Sequence, residues 1–509
     1  MPSVGVQTTI QLPLDIWRHI IEILPRADQR NCLFVSRDLH QIAFSQVFSK
    51  VTVCFGLYQA RWITDDENDK WNEFDYHEWE RQNDASYEIL RQVTQDPTFA
   101  LTIRELSVRA YASEHRLFEL RLLCDALKFL RNLRSFRWSG AEPQMPIKVV
   151  EALTASCGAN LVQLNIPAVT GLYELVGGMS SLRMLCLNGD PTHVGHTVGL
   201  DEDLEDEVVF CLEETPPTLR TLWVYDDLFL QAPVHRFYAL QELFMMWPNS
   251  LEGVEQIFHH CADLRSLGIL ASHRSGCAME LRNAMAAFPT ALPRLHSLKL
   301  ALNAYAHPRR IADTLANFVR DRRGLRRLDV SFNSLAKADD FAWPLYETLR
   351  TLLDLEVLGL EMEGHRFTED HVKRLDIILP LGLKAMLLDH YYSIMKAETV
   401  KVLLHLFRKR TKLRYLHCID QMYNHSFKEA LDKDYWRPPS LELVGYGPQL
   451  YPIRRDPVSG ARFMLPFWDY TKVQFRTVHE FDGCEDSEWL LRCHGWAGPD
   501  ALSPGLYTD

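Results

Sequence analysis

Three places in this 509-residue sequence hold side chains that could do chemistry. Cys261 follows directly on His259 and His260, and Cys493 is followed by His494. A thiol beside an imidazole has the ingredients of nucleophilic catalysis. The pair must still be oriented by a third group in space, and adjacency in the chain does not supply one. The run "DEDLEDE", Asp201 to Glu207, has carboxylates for a hard cation but lacks the central glycine of an EF-hand loop. The patterns G-x-S-x-G, G-x-G-x-x-G and H-E-x-x-H and the P-loop are missing. The sequence therefore gives no catalytic residue. It points away from an enzyme, with no cofactor and no metal expected.

Composition narrows the classes further. The 55 basic and 67 acidic residues leave a formal charge of −12, which gives no footprint for a general nucleic-acid partner. Much of the acid lies in two runs, Asp65 to Asp84 and Asp201 to Glu207, expected as solvated loops. The eleven cysteines are scattered singly, with no C-x-x-C pair. They fit free thiols in a reducing compartment. The first residues have neither the basic nor the apolar region of a signal peptide. No apolar run approaches the roughly 20 residues that cross a bilayer. The expectation is a cytoplasmic or nuclear protein with no membrane partner.

What remains is recognition, and the elements that would position it recur. From about residue 100 a phrase L-x-x-L-x-L, with apolar substitutes, begins at Ile103, Leu133, Leu161, Leu182, Leu219, Leu240, Leu264, Leu295, Leu325, Leu355, Leu383, Leu413 and, weakly, Leu441. From Leu264 onward the spacing holds at about 28–31 residues, the leucine-rich-repeat period. The L-x-L alternation is a strand with one buried face. Between phrases the apolar spacing turns helical. Ile311, Leu315 and Phe318 or Val319 form one stripe, as do Val372, Leu375 and Leu379 behind a candidate N-cap at Thr368. A strand and a helix in each repeat bury their apolar sides only by stacking on neighbours. The fold class expected is α/β: a solenoid with parallel strands on the concave face and helices outside.

Ahead of the repeats stands "LPLDIWRHIIEILPRADQRNCLFVSRDLHQIAF", Leu12 to Phe44. Pro13 suits a helix start, and Asp15 sits where the helix dipole favours an acid. Ile16, Ile20, Ile21 and Leu24 follow at helical spacing, and Pro25 ends the segment. A second stretch starts with Asp28 as a candidate cap and carries Leu33, Phe34, Val35, Leu39, Ile42 and Ala43. Two or three short helices in about forty residues are marginal alone and need a neighbour.

The residues Leu12, Pro13, Asp15, Ile16, Ile20 and Leu24, followed by Val35, Ser36, Arg37 and Leu39, resemble the F-box motif. Leu39 stands where that pattern often has Trp. The resemblance covers residues 10–50, and an F-box before leucine-rich repeats is a common layout, frequent among fungal proteins with degenerate repeats. It implies docking on the adaptor subunit of an SCF-type cullin–RING ubiquitin ligase through Leu12, Pro13, Ile16, Ile20, Leu24, Val35, Ser36, Arg37 and Leu39. The repeats would then hold a protein substrate. The alternative is a repeat scaffold without a ubiquitin-ligase role, its first helices serving only as a cap.

Strand alternation gives a candidate substrate surface. Trp223, Tyr225, Phe244 and Met246 would stand together on the concave face, the mix that interfaces concentrate at their centres. A slip of one residue would instead send them to the core. Ser135, Arg137, Arg327 and Asp329 would share that face as ordinary polar surface. The expected organisation is an F-box at 10–50, a linker and helical cap with an acidic insertion at 51–99, repeats at 100–449, and a closing cap of hairpin and short helix at 450–509.

Overall fold

The computed structural model describes residues 12–24, 26–56, 73–111, 117–142, 145–167, 176–188, 202–225, 227–271, 275–303, 308–333, 341–361, 368–389, 397–419, 429, 431, 433, 437–446, 449–468 and 485–491. Pro25, the first part of the Asp65–Asp84 run and the Cys493–His494 pair lie outside them. The chain divides into two compact units, one of residues 1–164 and 178–182, the other of 165–177 and 183–509.

The first unit opens with three helices, α1 (Leu14–Ile23), α2 (Arg26–Cys32) and α3 (Arg37–Val47). Strand β1 (Lys50–Gly56) follows, then α4 (Glu73–Gln95), α5 (Pro97–Thr102), β2 (Glu105–Tyr111), α6 (Leu117–Leu127), β3 (Ser135–Glu142), α7 (Ile147–Cys157) and the start of β4 (Gln163–Pro167). β1, β2 and β3 pair in parallel. Two expectations are corrected here. Residues Lys50–Gly56 are a full strand of the sheet rather than linker, because Val51, Val53 and Phe55 alternate inward and are buried. Residues Glu73 to Asp84 of the first acidic run are helical, drawn into α4 by a stripe in which Ser86, Leu90 and Val93 are buried. The Ser86 hydroxyl accepts from the Cys54 amide at 2.8 Å, which ties α4 to β1.

The second unit carries β5 (Met184–Asn188), β6 (Thr221–Tyr225), β7 (Glu242–Met246), β8 (Ser266–Ala271), β9 (Ser297–Asn303), β10 (Arg327–Asn333), β11 (Val357–Glu361), β12 (Ala385–Asp389), β13 (Tyr415–Ile419) and β14 (Leu443–Tyr446). Each pairs in parallel with the next, in chain order. The sheet then closes antiparallel through β15 (Gln449–Arg455) and β16 (Arg462–Met464). Between those two, the Asp456 carboxylate accepts from the amides of Val458 and Ser459 at 2.7 and 2.8 Å.

Strands β2 to β14 each begin two residues after the first apolar position of a phrase. One device recurs at their entries: a carbonyl of one repeat accepts from two successive amides of the next. Arg326 and Arg327 both donate to His296 O at 2.8 and 3.0 Å, and Glu356 and Val357 to Arg326 O at 2.9 and 3.0 Å. This fork sets the register, so that Leu222, Leu243, Leu267, Leu298, Leu328 and Leu358 stand opposite one another and are buried.

The connecting helices supply the cover. Pro308–Val319 buries Ile311, Leu315, Phe318 and Val319. Glu369–Ile378 starts from a capping box in which Thr368 accepts from the His371 amide and the Thr368 amide donates to His371 Nδ1. The second acidic run is corrected in the same way as the first. From Glu202 it is the first turns of the helix Glu202–Glu214, because Val208, Cys211 and Leu212 fall on one buried stripe and acids at a helix start are favoured by its dipole.

Candidate functional site

Helices α1 to α3 form a small cluster with two different sides. Pro13 stands at the N-cap of α1, where its missing amide costs nothing. Trp17, Ile21 and Leu24 recur at i, i+4 and i+7 and pack against Ile42, Ala43, Cys32, Leu33 and Leu39. Ile21 is only 1% exposed. The Gln29 amide crosses back to the end of α1, donating to the carbonyls of Ile21 and Leu24 at 3.0 and 3.1 Å. Ser36 caps α3, accepting from the Leu39 amide at 3.2 Å. Asp28 lies inside the first turn of α2 rather than before it. The cluster is anchored behind by Phe44 of α3 and Phe48 at its C-cap, whose rings meet Phe99 of α5 at 6.0 and 5.4 Å.

The other side is apolar and uncovered. Ile16, Ile20 and Ile23 lie within about 60° of one another around α1, at the 100° per residue of a helix, and Leu12 precedes the helix. Leu12, Ile16 and Ile23 are exposed, Ile16 by 48%. In the α2–α3 turn, Phe34 is 87% and Val35 67% exposed, while their neighbours Cys32 and Leu33 point inward. Arg37 and Asp38, which follow Val35 after the Ser36 cap, are exposed as well. The pair Arg18–Asp15, at 3.4 Å and open to solvent, contributes little to stability. Of the residues singled out by the motif, Leu12, Pro13, Ile16, Val35, Ser36 and Arg37 are exposed and Ile20, Leu24 and Leu39 half-buried. Leu24 and Leu39 serve the internal cluster. Leu14, Ile23 and Phe34 are exposed apolar residues that the motif did not single out. Their signal was an apolar side chain off the stripe of the packed helix face.

The second candidate surface differs from expectation. Trp223 pairs with Phe244, and Tyr225 with Met246, across β6 and β7, so the register read from the phrases is the one present. The side chains are nevertheless not presented to solvent. Trp223 and Phe244 are 4% and 3% exposed, Met246 is wholly buried, and only Tyr225 is half-buried. They pack on each other with Cys186 and Leu270. The rings of Trp223 and Phe244 lie 5.7 Å apart, and the indole donates to Glu242 at 3.1 Å. The Phe244 ring lies flat over the next strand because residue 268 is glycine; a Cβ there would sit 2.1 Å from the ring.

The same row continues through Gly268, Lys299, Asp329, Gly359, Leu387 and His417. Asp329 is not ordinary surface. Lys299 and Asp329 are both buried and paired at 2.6 Å, and the carboxylate leans over Gly359, where a Cβ would stand 2.0 Å away. Their cover is the helix Glu485–Leu491. Lys299 Nζ donates to Leu490 O at 3.0 Å and sits 4.6 Å from the centre of the Trp489 ring. Arg327 pairs with Asp486 at 2.8 Å. Opposite charges at the third strand position of successive phrases, "LKL" and "LDV", were the available signal.

The thiol of the Cys261 candidate is enclosed. Cys261 is buried, and burial pushes its thiol up to about 12. His259 and His260 stack edge to face at 4.7 Å. Among the described residues no cluster of His, Cys, Asp or Glu could hold a metal ion, and no helix is long and apolar enough to cross a membrane.

The family model for the F-box domain matches residues 10–50, so the chain carries an F-box domain at the three-helix cluster. F-box domains bind the adaptor subunit of cullin–RING ubiquitin ligases. No curated protein matches the sequence of this chain. Among solved structures, a Bacteroides fragilis protein is similar at 15% identity and a TM-score of 0.30, over 49% of this chain and 73% of its own.

Proposed function

We propose that the protein is the substrate-recognition subunit of an SCF-type ubiquitin ligase. In this reading the repeating β–α units are leucine-rich repeats that hold a client protein. The observation that carries it is the apolar side of α1 and the α2–α3 turn, which stands open although the opposite side of the same helices is packed. Exposed apolar side chains grouped on a small helical unit are what a second subunit covers. A helical unit serving only as a cap would turn those side chains inward. The protein itself makes and breaks no bond. It holds the client near the activated ubiquitin delivered by the ligase, a gain in effective concentration.

The test is co-purification with a recombinant adaptor subunit, comparing wild type with Leu12→Ala/Pro13→Ala. Capture by the wild type and loss in the double variant is the expected result. Equal recovery of both would remove the assigned contact, and no capture of either would leave the scaffold reading in its place.

A further inference from the structure

The helix Glu485–Leu491 has the properties of a bound ligand. Its described residues, Glu485–Leu491, are two turns of helix, and two turns gain little stability in water without a surface to pack on. Its order therefore comes from the surface beneath it. Trp489, Leu490 and Leu491 are buried against Val357, Leu387 and Tyr415. Asp486, one helical turn before Trp489, reaches Arg327, whose side chain donates at 2.8 and 2.9 Å.

The surface below joins an apolar cluster to buried charge that an ordinary core does without. On the other face of the same strands Leu298, Leu300, Leu328, Val330, Leu358 and Leu360 are all buried, so these strands already have an apolar side. The covered face instead offers a cation at its edge, a lysine–aspartate pair, and an apolar floor beyond them. A buried ion pair adds little to stability against an apolar filling, and its attested use is to fix a register. Lys299 does that here, since it reads a helix carbonyl and an aromatic ring at once.

We propose that the face of β9–β13 is a recognition site for a short acidic–aromatic helix of the form Asp-Ser-x-Trp-Leu-Leu, its serine buried with the aromatic and leucines, which residues 486–491 fill in cis and which a client segment of the same spacing displaces. The inference rests on the client-receptor reading for the identity of the competitor. The site itself stands on the contacts just given. A tethered occupant acts at an effective concentration on the order of millimolar. An outside segment therefore binds the closed protein weakly until the tether is loosened.

The experiment uses the full chain and a fluorescein-labelled peptide of residues 485–492, followed by anisotropy. Asp486→Arg/Trp489→Ala should free the face and bind the peptide at least tenfold more tightly than wild type does. Asp486→Arg alone keeps the apolar contacts and serves if the double variant melts early. Adding Arg327→Glu should cost at least tenfold, and a peptide carrying Asp486→Arg should recover the loss. Equal binding to all chains, or no binding by variants whose thermal melts match wild type, overturns the proposal. Adaptor capture is measured on the same proteins. Failure of the ligase reading shows in that assay, and failure of this one in the anisotropy.

Discussion

The exposed pair in the α2–α3 turn gives the sharpest quantitative test. Phe34 is 87% and Val35 67% exposed. Replacing both by alanine removes little that holds the fold together, so the melting temperature should match wild type, as for surface changes of within about 0.5 kcal/mol. The effect on docking should be large. Fully burying a side chain of this kind is worth about 1.5–3 kcal/mol. Scaling by the exposed fractions and allowing for what alanine retains leaves about 3 kcal/mol for the pair, or on the order of 100-fold in Kd. Titration calorimetry of Phe34→Ala/Val35→Ala against the purified adaptor subunit reads this directly. Ile21→Ala is the contrasting control. It should lower the melting temperature through an internal cavity costing about 2–5 kcal/mol. An unchanged Kd for the double variant, with its melt also unchanged, would refute the assignment of this face as the docking surface.

Other outcomes follow from the sheet. Gly268→Ala places a methyl against the Phe244 ring and should cost about 1–3 kcal/mol in denaturant unfolding. Phe244→Ala in the same chain should recover part of that cost, a coupling that a double-mutant cycle measures. Asp329→Ala leaves Lys299 buried without its carboxylate and should destabilise by about 3–5 kcal/mol, whereas Lys299→Met/Asp329→Ala should lie close to wild type. Acid should act on the strand entries and helix ends. Burial alone would raise Glu356, but hydrogen bonds from Lys384 and Arg326 outweigh it and hold the carboxyl below its ordinary value. Asp376 is held low in the same way by Lys409 and Arg410. A carboxyl lowered in the folded state stabilises above its unfolded value and loses that contribution as pH falls through the folded one. Melting temperature should therefore hold steady down to about pH 4.5 and fall below it. Glu356→Gln/Asp376→Asn should flatten that fall; an equally steep fall in the variant would contradict it.

The strand positions were legible because an alternating phrase with a fixed offset leaves one choice of inward side. Leu298 and Leu328 could not face water without exposing their whole row. β1 was missed because "KVTVCF" has the alternation of a strand but lacks the leucine phrase that flags the others. The acidic runs misled because charge density reads as loop, while the helices at Glu73 and Glu202 are decided by a few apolar residues further along. At Trp223 and Phe244 the pattern identified the correct face but not its exposure. Exposure depends on what else lies on that face, and a ring can lie down wherever the neighbouring strand has a glycine. Lys299 and its partner at Leu490 are further apart in sequence than any local pattern reaches. The exposed apolar side of the F-box helices was legible only in part: the motif located the helices, and the outward turn of Phe34 and Ile23 follows from which neighbours won the inside.

The contact between Lys299 and Leu490 spans 191 positions of the chain. At a synthesis rate of about 5–20 residues per second, β9 and β10 are made roughly 10–40 s before their cover exists. Over that interval the lysine and its aspartate await their cover, and the slot later taken by Trp489, complete only once β13 is made, stands vacant for roughly the last 4–14 s of it. A newborn molecule is thus more open to strangers than a finished one, and whatever meets it on the ribosome competes with a guest that has yet to be translated.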